Sequence, residues 1–249
     1  VTPSGEDRSV LDLPAPGPDL VLRYGTHPDA VVDVRFGRGE AAERPLVVVV
    51  HGGFWRPAYD RVHLRPLTDA LAAAGLTTAA IEYRRTPGRP DDTIDDVVAA
   101  LGMLAGAGAL AGRCDGRLLL AGHSAGGHLV LHAAADPRAP AMAGVVALAP
   151  VADLGLAEAL ALDGDAVAAF LGRPAADRPD LDPVRRPAPG VPVTVVHGAD
   201  DELVPLALAQ SYAATHPAVK LVTVEGGHFA VIDPRSTAWP EVLAALSAG

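Results

Sequence analysis

The chain has 249 residues, 49% hydrophobic and 20% charged, a balance that suits a folded domain with an ample core and excludes a disordered polymer. Its formal net charge is −10 and it contains no basic run, which excludes nucleic acid and anionic membrane surfaces as expected partners. The single cysteine, Cys114, excludes an internal disulfide framework, and no apolar stretch approaches the roughly 18–20 residues of a membrane span.

Residues 1–18 are rich in Pro, Gly, Ser and Asp and read as an irregular leader. They lack the pattern of a secretory signal, so a cytoplasmic location is the default expectation, with a signal removed ahead of Val1 as the alternative. Residues 20–24 and 31–36 alternate as strands joined by a turn, a predicted hairpin. Residues 46–50 form an unbroken apolar run, the mark of a strand buried on both faces, and lead into His51-Gly52-Gly53-Phe54-Trp55. A helix is predicted over 61–74, with Gly75 closing it, followed by a strand over 77–82. Clustered acids at 91–96 suit a helix start and precede an Ala/Val/Leu segment.

Next come a buried strand over 117–121, a helix through 135 and a strand over 144–149. Residues 150–190 are helical patches broken by prolines, longer than an ordinary crossover, and are expected to form a small lid over the strand ends. A strand (192–196), a helix (206–214), a strand (219–224) and a helix (239–246) complete the chain. Eight strands alternating with helices predict a mostly parallel α/β sheet covered on both faces, in one domain spanning 1–249.

The strand over 117–121 ends in Gly122-His123-Ser124-Ala125-Gly126, and a helix follows. Gly-x-Ser-x-Gly in that context is the pattern of a nucleophile elbow. The turn is so sharp that the serine backbone is strained, and side chains two residues either side would collide with strand and helix. It also sets Ser124 at a helix N-terminus, where free N–H groups favour developing negative charge.

A serine nucleophile needs a base, an orienter for the base and donors for the oxyanion, all on loops at the carboxyl ends of strands. The strand over 193–196 leads into His197-Gly198-Ala199-Asp200-Asp201-Glu202-Leu203-Val204-Pro205. The spacing Gly, two residues, Asp, two residues, Val-Pro selects Asp201 as the acid, with Asp200 as the alternative and Glu202 as a turn residue. The last strand leads into Glu225-Gly226-Gly227-His228-Phe229, which places His228 as the base. The order Ser124, Asp201, His228 is one of the known triad orders. The backbone N–H groups of Gly53, Phe54 and Ala125 are the expected oxyanion donors, with His51 bracing their loop. Phe54, Trp55, His123 and Phe229 are candidate substrate-binding residues, with core packing as the alternative reading of the aromatic ones. His128 and His132 share a helix face, but the residues between them lack the Glu of a zinc-protease helix, so no metal and no cofactor is expected.

Taken in order, His51-Gly52-Gly53-Phe54-Trp55, Glu82-Tyr83-Arg84-Arg85, Gly122 to Leu129, His197 to Pro205 and Gly227-His228-Phe229 span most of the chain. Together they resemble the α/β-hydrolase superfamily, on its arylformamidase and hormone-sensitive-lipase-like esterase side. The resemblance implies an eight-stranded fold and a metal-free serine hydrolase acting on small carboxylic esters or N-formyl arylamides, with Ser124, Asp201 and His228 matching the family triad. The lipase-like branch usually carries three consecutive glycines in the oxyanion loop; Phe54 replaces the third, which moves the chain towards the arylformamidase-like group. Gly25-Thr26-His27-Pro28-Asp29 echoes a metal-dependent formamidase motif whose other ligands are missing. The expected partner is thus a small-molecule ester or formamide. A non-catalytic ligand-binding protein on the same fold and an acyltransferase are the alternatives. Oligomeric state leaves no signal in the sequence.

Overall fold

The structure, a computed structural model, describes residues 5–39 and 41–248; the first four residues of the expected leader lie outside the described residues. The predicted hairpin forms from β1 (Leu20–Arg23) and β2 (Val31–Arg35), with Leu20 opposite Val34 and Arg23 opposite Val31. Then follow β3 (Leu46–Val50), α1 (Arg65–Ala73), β4 (Thr78–Ile81), α2 (Pro90–Ala105), β5 (Leu118–His123), α3 (Ala125–Ala134) and β6 (Gly144–Leu148). After α4 (Leu154–Ala159) and α5 (Ala166–Leu171) come β7 (Val193–Gly198), α6 (Ala207–Thr215), β8 (Lys220–Val224) and α7 (Trp239–Ser247). The helix expected over 61–74 is divided. Asp60 caps a 3₁₀ turn over Arg61–Leu64 by accepting from the Val62 N–H, and Pro66, with no N–H to donate, opens α1 in its first turn.

The eight strands form one sheet in the order β1-β2-β4-β3-β5-β6-β7-β8, and among the described residues only β2 runs against the others. Alternation within the apolar runs builds a core on each face. Leu46, Val48 and Val50 join Leu118 and Leu120 under α2, α3 and α6, while Val47 and Val49 join Leu119 and Ala121 under α1 and α7. The connection after β3 leads outward to β4, whereas the one after β5 leads to β6 on the other side. The chain therefore diverges between β3 and β5 and opens a crevice at their carboxyl ends, where such sheets bind ligands.

Two stretches gain detail from the structure. The described part of the irregular leader is pinned to the body: Ser9–Asp12 form a 3₁₀ turn, and Val10 is 1% exposed in the core beneath α1 and α7. The segment expected as a lid is anchored on the larger core, where Leu154, Ala157, Val167, Phe170, Leu171 and Leu181 are buried. Its apolar spacing is consumed by that packing. Among the described residues no helix is long and apolar enough to cross a membrane.

Candidate active site

The crevice holds a small cavity of about 60 Å³ that opens to solvent, lined by Gly53, Phe54, His123, Ser124, His228 and Phe229. The elbow reads directly off the backbone. Ser124 has φ 57° and ψ −119°, a conformation that costs of order 1–3 kcal/mol and persists because its surroundings over-determine it. Its N–H donates to Leu148 O (2.9 Å), and its carbonyl accepts from the His128 and Val151 N–H groups at 3.2 and 3.1 Å. A Cβ on Gly126 would lie 2.1 Å from Val50 O, and one on Gly122 would lie 2.2 Å from Gly126 O, so strand and helix meet at a distance only glycine permits. The Ser124 hydroxyl does not cap α3 and is left to the cavity, while Ala125 starts the helix behind it with a free first-turn N–H.

Asp201 sits behind His228. Its Oδ2 lies 2.7 Å from His228 Nδ1, and its Oδ1 accepts from the Leu203 and Val204 N–H groups at 3.0 and 2.7 Å. His197 Nε2 stands 3.3 Å from Oδ2. Burial pushes the Asp201 carboxyl up, but the hydrogen bonds from His197 and His228, the His228 charge and the Val204 N–H outweigh it and hold the carboxyl well below its usual range. The neighbouring Asp200 is exposed and makes no such contact. His123, the residue before Ser124, donates from Nε2 to the His228 carbonyl (3.0 Å), with ring centroids 4.5 Å apart. Burial, and next the like charge of His228, keep His123 neutral.

The loop after β3 carries three consecutive positive φ values, Gly53 (104°), Phe54 (48°) and Trp55 (55°). It is braced from beneath. Tyr83 Oη donates to His51 O (2.8 Å), His51 Nε2 contacts Glu82 Oε1 (2.9 Å), and Glu82 also pairs with Arg85 and accepts from the Arg61 N–H. The Glu-Tyr-Arg-Arg motif after β4 is thus the buttress of the glycine loop. The same backbone sends Phe54 and Trp55 to different places. Phe54 faces the cavity, whereas Trp55 is 3% exposed, stacked on Phe170 (4.4 Å) and edge-on to His128 (5.2 Å). The structure therefore corrects the substrate-binding expectation for Trp55 in favour of the core-packing alternative: it packs in the core and does not line the cavity.

Arg8, Leu11, Tyr59, His63, Asp163 and Leu203 also line the cavity and were not singled out from the sequence. The Tyr59 side chain lies so close over Gly53 that a Cβ there would meet its Cβ at 2.4 Å and its ring at 2.6 Å. No periodicity or spacing marks these six residues, which arrive from four separate segments. Among the described residues no group of three His, Cys, Asp or Glu side chains is placed to hold a metal ion.

Several histidines around the site are held neutral. Burial lowers His51, His63 and His132 to about 3 and His128 to about 4; Arg85 adds to the effect at His51, and Arg186 at His132. A histidine whose folded pKa is depressed favours the unfolded chain once the unfolded side chain takes up a proton. Its contribution is complete above about pH 6.5 and falls as pH drops toward the folded value. The slope reaches up to about 1.4 kcal/mol per pH unit for each such histidine. Tm is accordingly expected to fall steadily between pH 7 and 5, before most carboxylates titrate; a flat Tm over that range in thermal melts would contradict the neutral assignment.

A hydroxyl at a helix N-terminus, an imidazole oriented by a carboxylate and glycine-loop N–H groups are the parts that acyl transfer requires. The model of the family described as having the alpha/beta hydrolase fold matches residues 47–231. No curated protein matches the chain. Among solved structures, a provisionally named thioesterase from Silicibacter sp. TM1040 is 26% identical with a TM-score of 0.71, over 92% of this chain and 85% of that one. Esterase B from Lactobacillus rhamnosis is 24% identical with a TM-score of 0.71, over 96% and 90%. The Est2 esterase of Thermogutta terrifontis is 22% identical with a TM-score of 0.69, over 92% of each chain. With the family model covering most of the sheet and the loops that bear Ser124, Asp201 and His228, this chain belongs to the α/β-hydrolase superfamily, on its hormone-sensitive-lipase-like esterase side.

Proposed function

We propose that the protein is a carboxylesterase-type serine hydrolase of small substrates, acting through Ser124, His228 and Asp201. The observation that carries this reading is the 2.7 Å contact between Asp201 Oδ2 and His228 Nδ1, with His228 and the strained Ser124 lining one cavity. His228 Nε2 takes the Ser124 proton as Oγ attacks the acyl carbonyl; Asp201 holds the tautomer and stabilises the imidazolium. The N–H groups of Gly53, Phe54 and Ala125 receive the oxyanion. His228 then protonates the leaving group, and water, activated by the same imidazole, resolves the acyl-enzyme. Phe54 and Phe229 supply the apolar walls.

The esterases among the similar structures support an ester substrate, and two of those structures are described with small acyl groups, one bound to propionate and one inhibited by a tributyrin phosphonate. Phe54 at the third position of the glycine loop favours a second substrate class, N-formyl arylamides, which need the same triad and oxyanion donors. The test is kcat/KM for p-nitrophenyl acetate, butyrate and dodecanoate beside N-formylkynurenine. Short esters are expected to be preferred over dodecanoate by about tenfold or more, since the small cavity has no room for a long acyl chain and crowding surplus methylenes into a packed pocket costs about 1–3 kcal/mol. A strong preference for the formamide would assign the amide-cleaving activity instead, and no turnover of any of the four would overturn the reading.

A further inference from the structure

The leader segment brings a carboxylate onto the two catalytic loops. Glu6, half-buried, accepts the His228 backbone N–H at Oε2 (2.8 Å) and the Glu202 backbone N–H at Oε1 (2.9 Å). The first donor belongs to the base itself and the second to the residue after its acid partner. Gly227, immediately before His228, leaves the room: a Cβ there would lie 2.1 Å from Glu6 Oε2 and 2.6 Å from its Cδ. The segment bearing Glu6 is anchored on both sides of it. Gly5 N–H donates to Glu202 Oε2 (3.1 Å), Val10 is buried in the core, and the Ser9 hydroxyl accepts from Arg235 (2.9 Å). Arg8 lies over the Phe229 ring at 5.6 Å.

We propose that Glu6 is a positioning residue of the hydrolytic site, a clamp that fixes the main chain of His228 relative to the loop carrying Asp201. The proposal rests on the Ser124–His228–Asp201 reading. Hydrogen bonds to an ionised acceptor are shorter and stronger than neutral ones, so one carboxylate bridging two loops restricts both. The reach of His228 Nε2 toward Ser124 depends on where its backbone sits, and a misplacement of about 1 Å can cost 10²-fold in rate. The pairing also explains why an acidic residue in a Pro/Gly/Ser-rich segment approaches loops 196 and 222 residues away.

Four variants test it: E6Q, E6A, G227A and E6A/G227A, assayed with the best ester beside wild type and S124A. E6Q keeps the volume but turns an amide N–H₂ toward one of the two N–H donors. E6Q and E6A are expected to lower kcat about tenfold with KM within about twofold, the signature of an interaction made in the transition state. Hydrogen–deuterium exchange is expected to quicken in the peptide covering 225–230. G227A alone is expected to lose a similar amount, because its methyl displaces Glu6. Combined with E6A it is expected to add little, since the methyl then has space. A kcat within about twofold of wild type in E6A with unchanged exchange at 225–230, or losses that simply add in the double variant, would overturn the clamp. A fall in Tm with kcat unchanged would likewise reduce Glu6 to a structural residue. Turnover that survives S124A would instead overturn the triad reading, and the exchange data would still decide whether Glu6 holds the His228 loop.

Discussion

Ser124→Ala is expected to lower kcat for p-nitrophenyl acetate by about 10⁶-fold while leaving the fold in place. Alanine meets the same backbone strain at φ 57° as serine does, and the hydroxyl holds no cap that its loss would remove, so the effect falls on chemistry rather than stability. What remains should be the residual catalysis of the oxyanion donors and binding, about 10³–10⁴ over water in other triads. Labelling by a fluorophosphonate probe should be stoichiometric in the wild type and absent in the variant. Retained turnover would remove Ser124 from the mechanism, and an unlabelled wild type would favour the non-catalytic binding protein. Adding an alcohol or amine acceptor separates hydrolysis from acyl transfer, because a transferase would divert most of the acyl group away from water.

The second large effect belongs to the acid. Asp201→Asn is expected to cost about 10⁴ in kcat. The asparagine oxygen would keep accepting from the Leu203 and Val204 N–H groups, which turns the amide N–H₂ toward His228 Nδ1. The imidazole must then carry its proton on Nε2 and has no lone pair to accept one from Ser124. Asp200→Asn, at an exposed side chain, is expected to stay within about twofold of wild type. Equal losses in the two variants would show that the loop, and not one carboxylate, matters. Asp201 also contributes to stability in a defined direction. Its folded pKa is depressed, so the contribution is present above the ordinary carboxylate pKa of about 3.9 and is lost as pH falls through the folded value. D201N should therefore lose less stability on acidification than the wild type.

Much of the sheet was legible because its signals are local. The run Leu46 to Val50 is apolar at every position, so it is covered on both faces, and the structure buries all five residues. The elbow was equally plain: Gly122, Ser124 and Gly126 are bound together by steric limits within five residues. Boundaries shifted by one or two residues at most strand ends, as at β5, which runs on through His123 into the turn itself.

The cavity was legible only in part. Phe54 and Trp55 are adjacent aromatic residues with the same composition-level signal, yet one faces the cavity and the other stacks on Phe170. Their separation follows from positive backbone φ at both, which a non-glycine sequence does not announce. Tyr59, His63 and Asp163 reach the cavity from a turn and a helical layer that carry no motif.

From the sequence alone came the fold class, the order of strands and helices along the chain, and the three loops that bear Ser124, Asp201 and His228. Each of these is written in a period, a glycine spacing or a strand-to-turn transition within about ten residues. Only the tertiary structure decided the strand order across the sheet, the burial of Trp55 and Val10, and the contact of Glu6 with the backbone of His228. Those depend on surfaces brought together from distant parts of the chain. Packing and hydrogen-bond geometry select such partners by shape and donor position in space, and neither quantity has a periodic trace in the order of the residues.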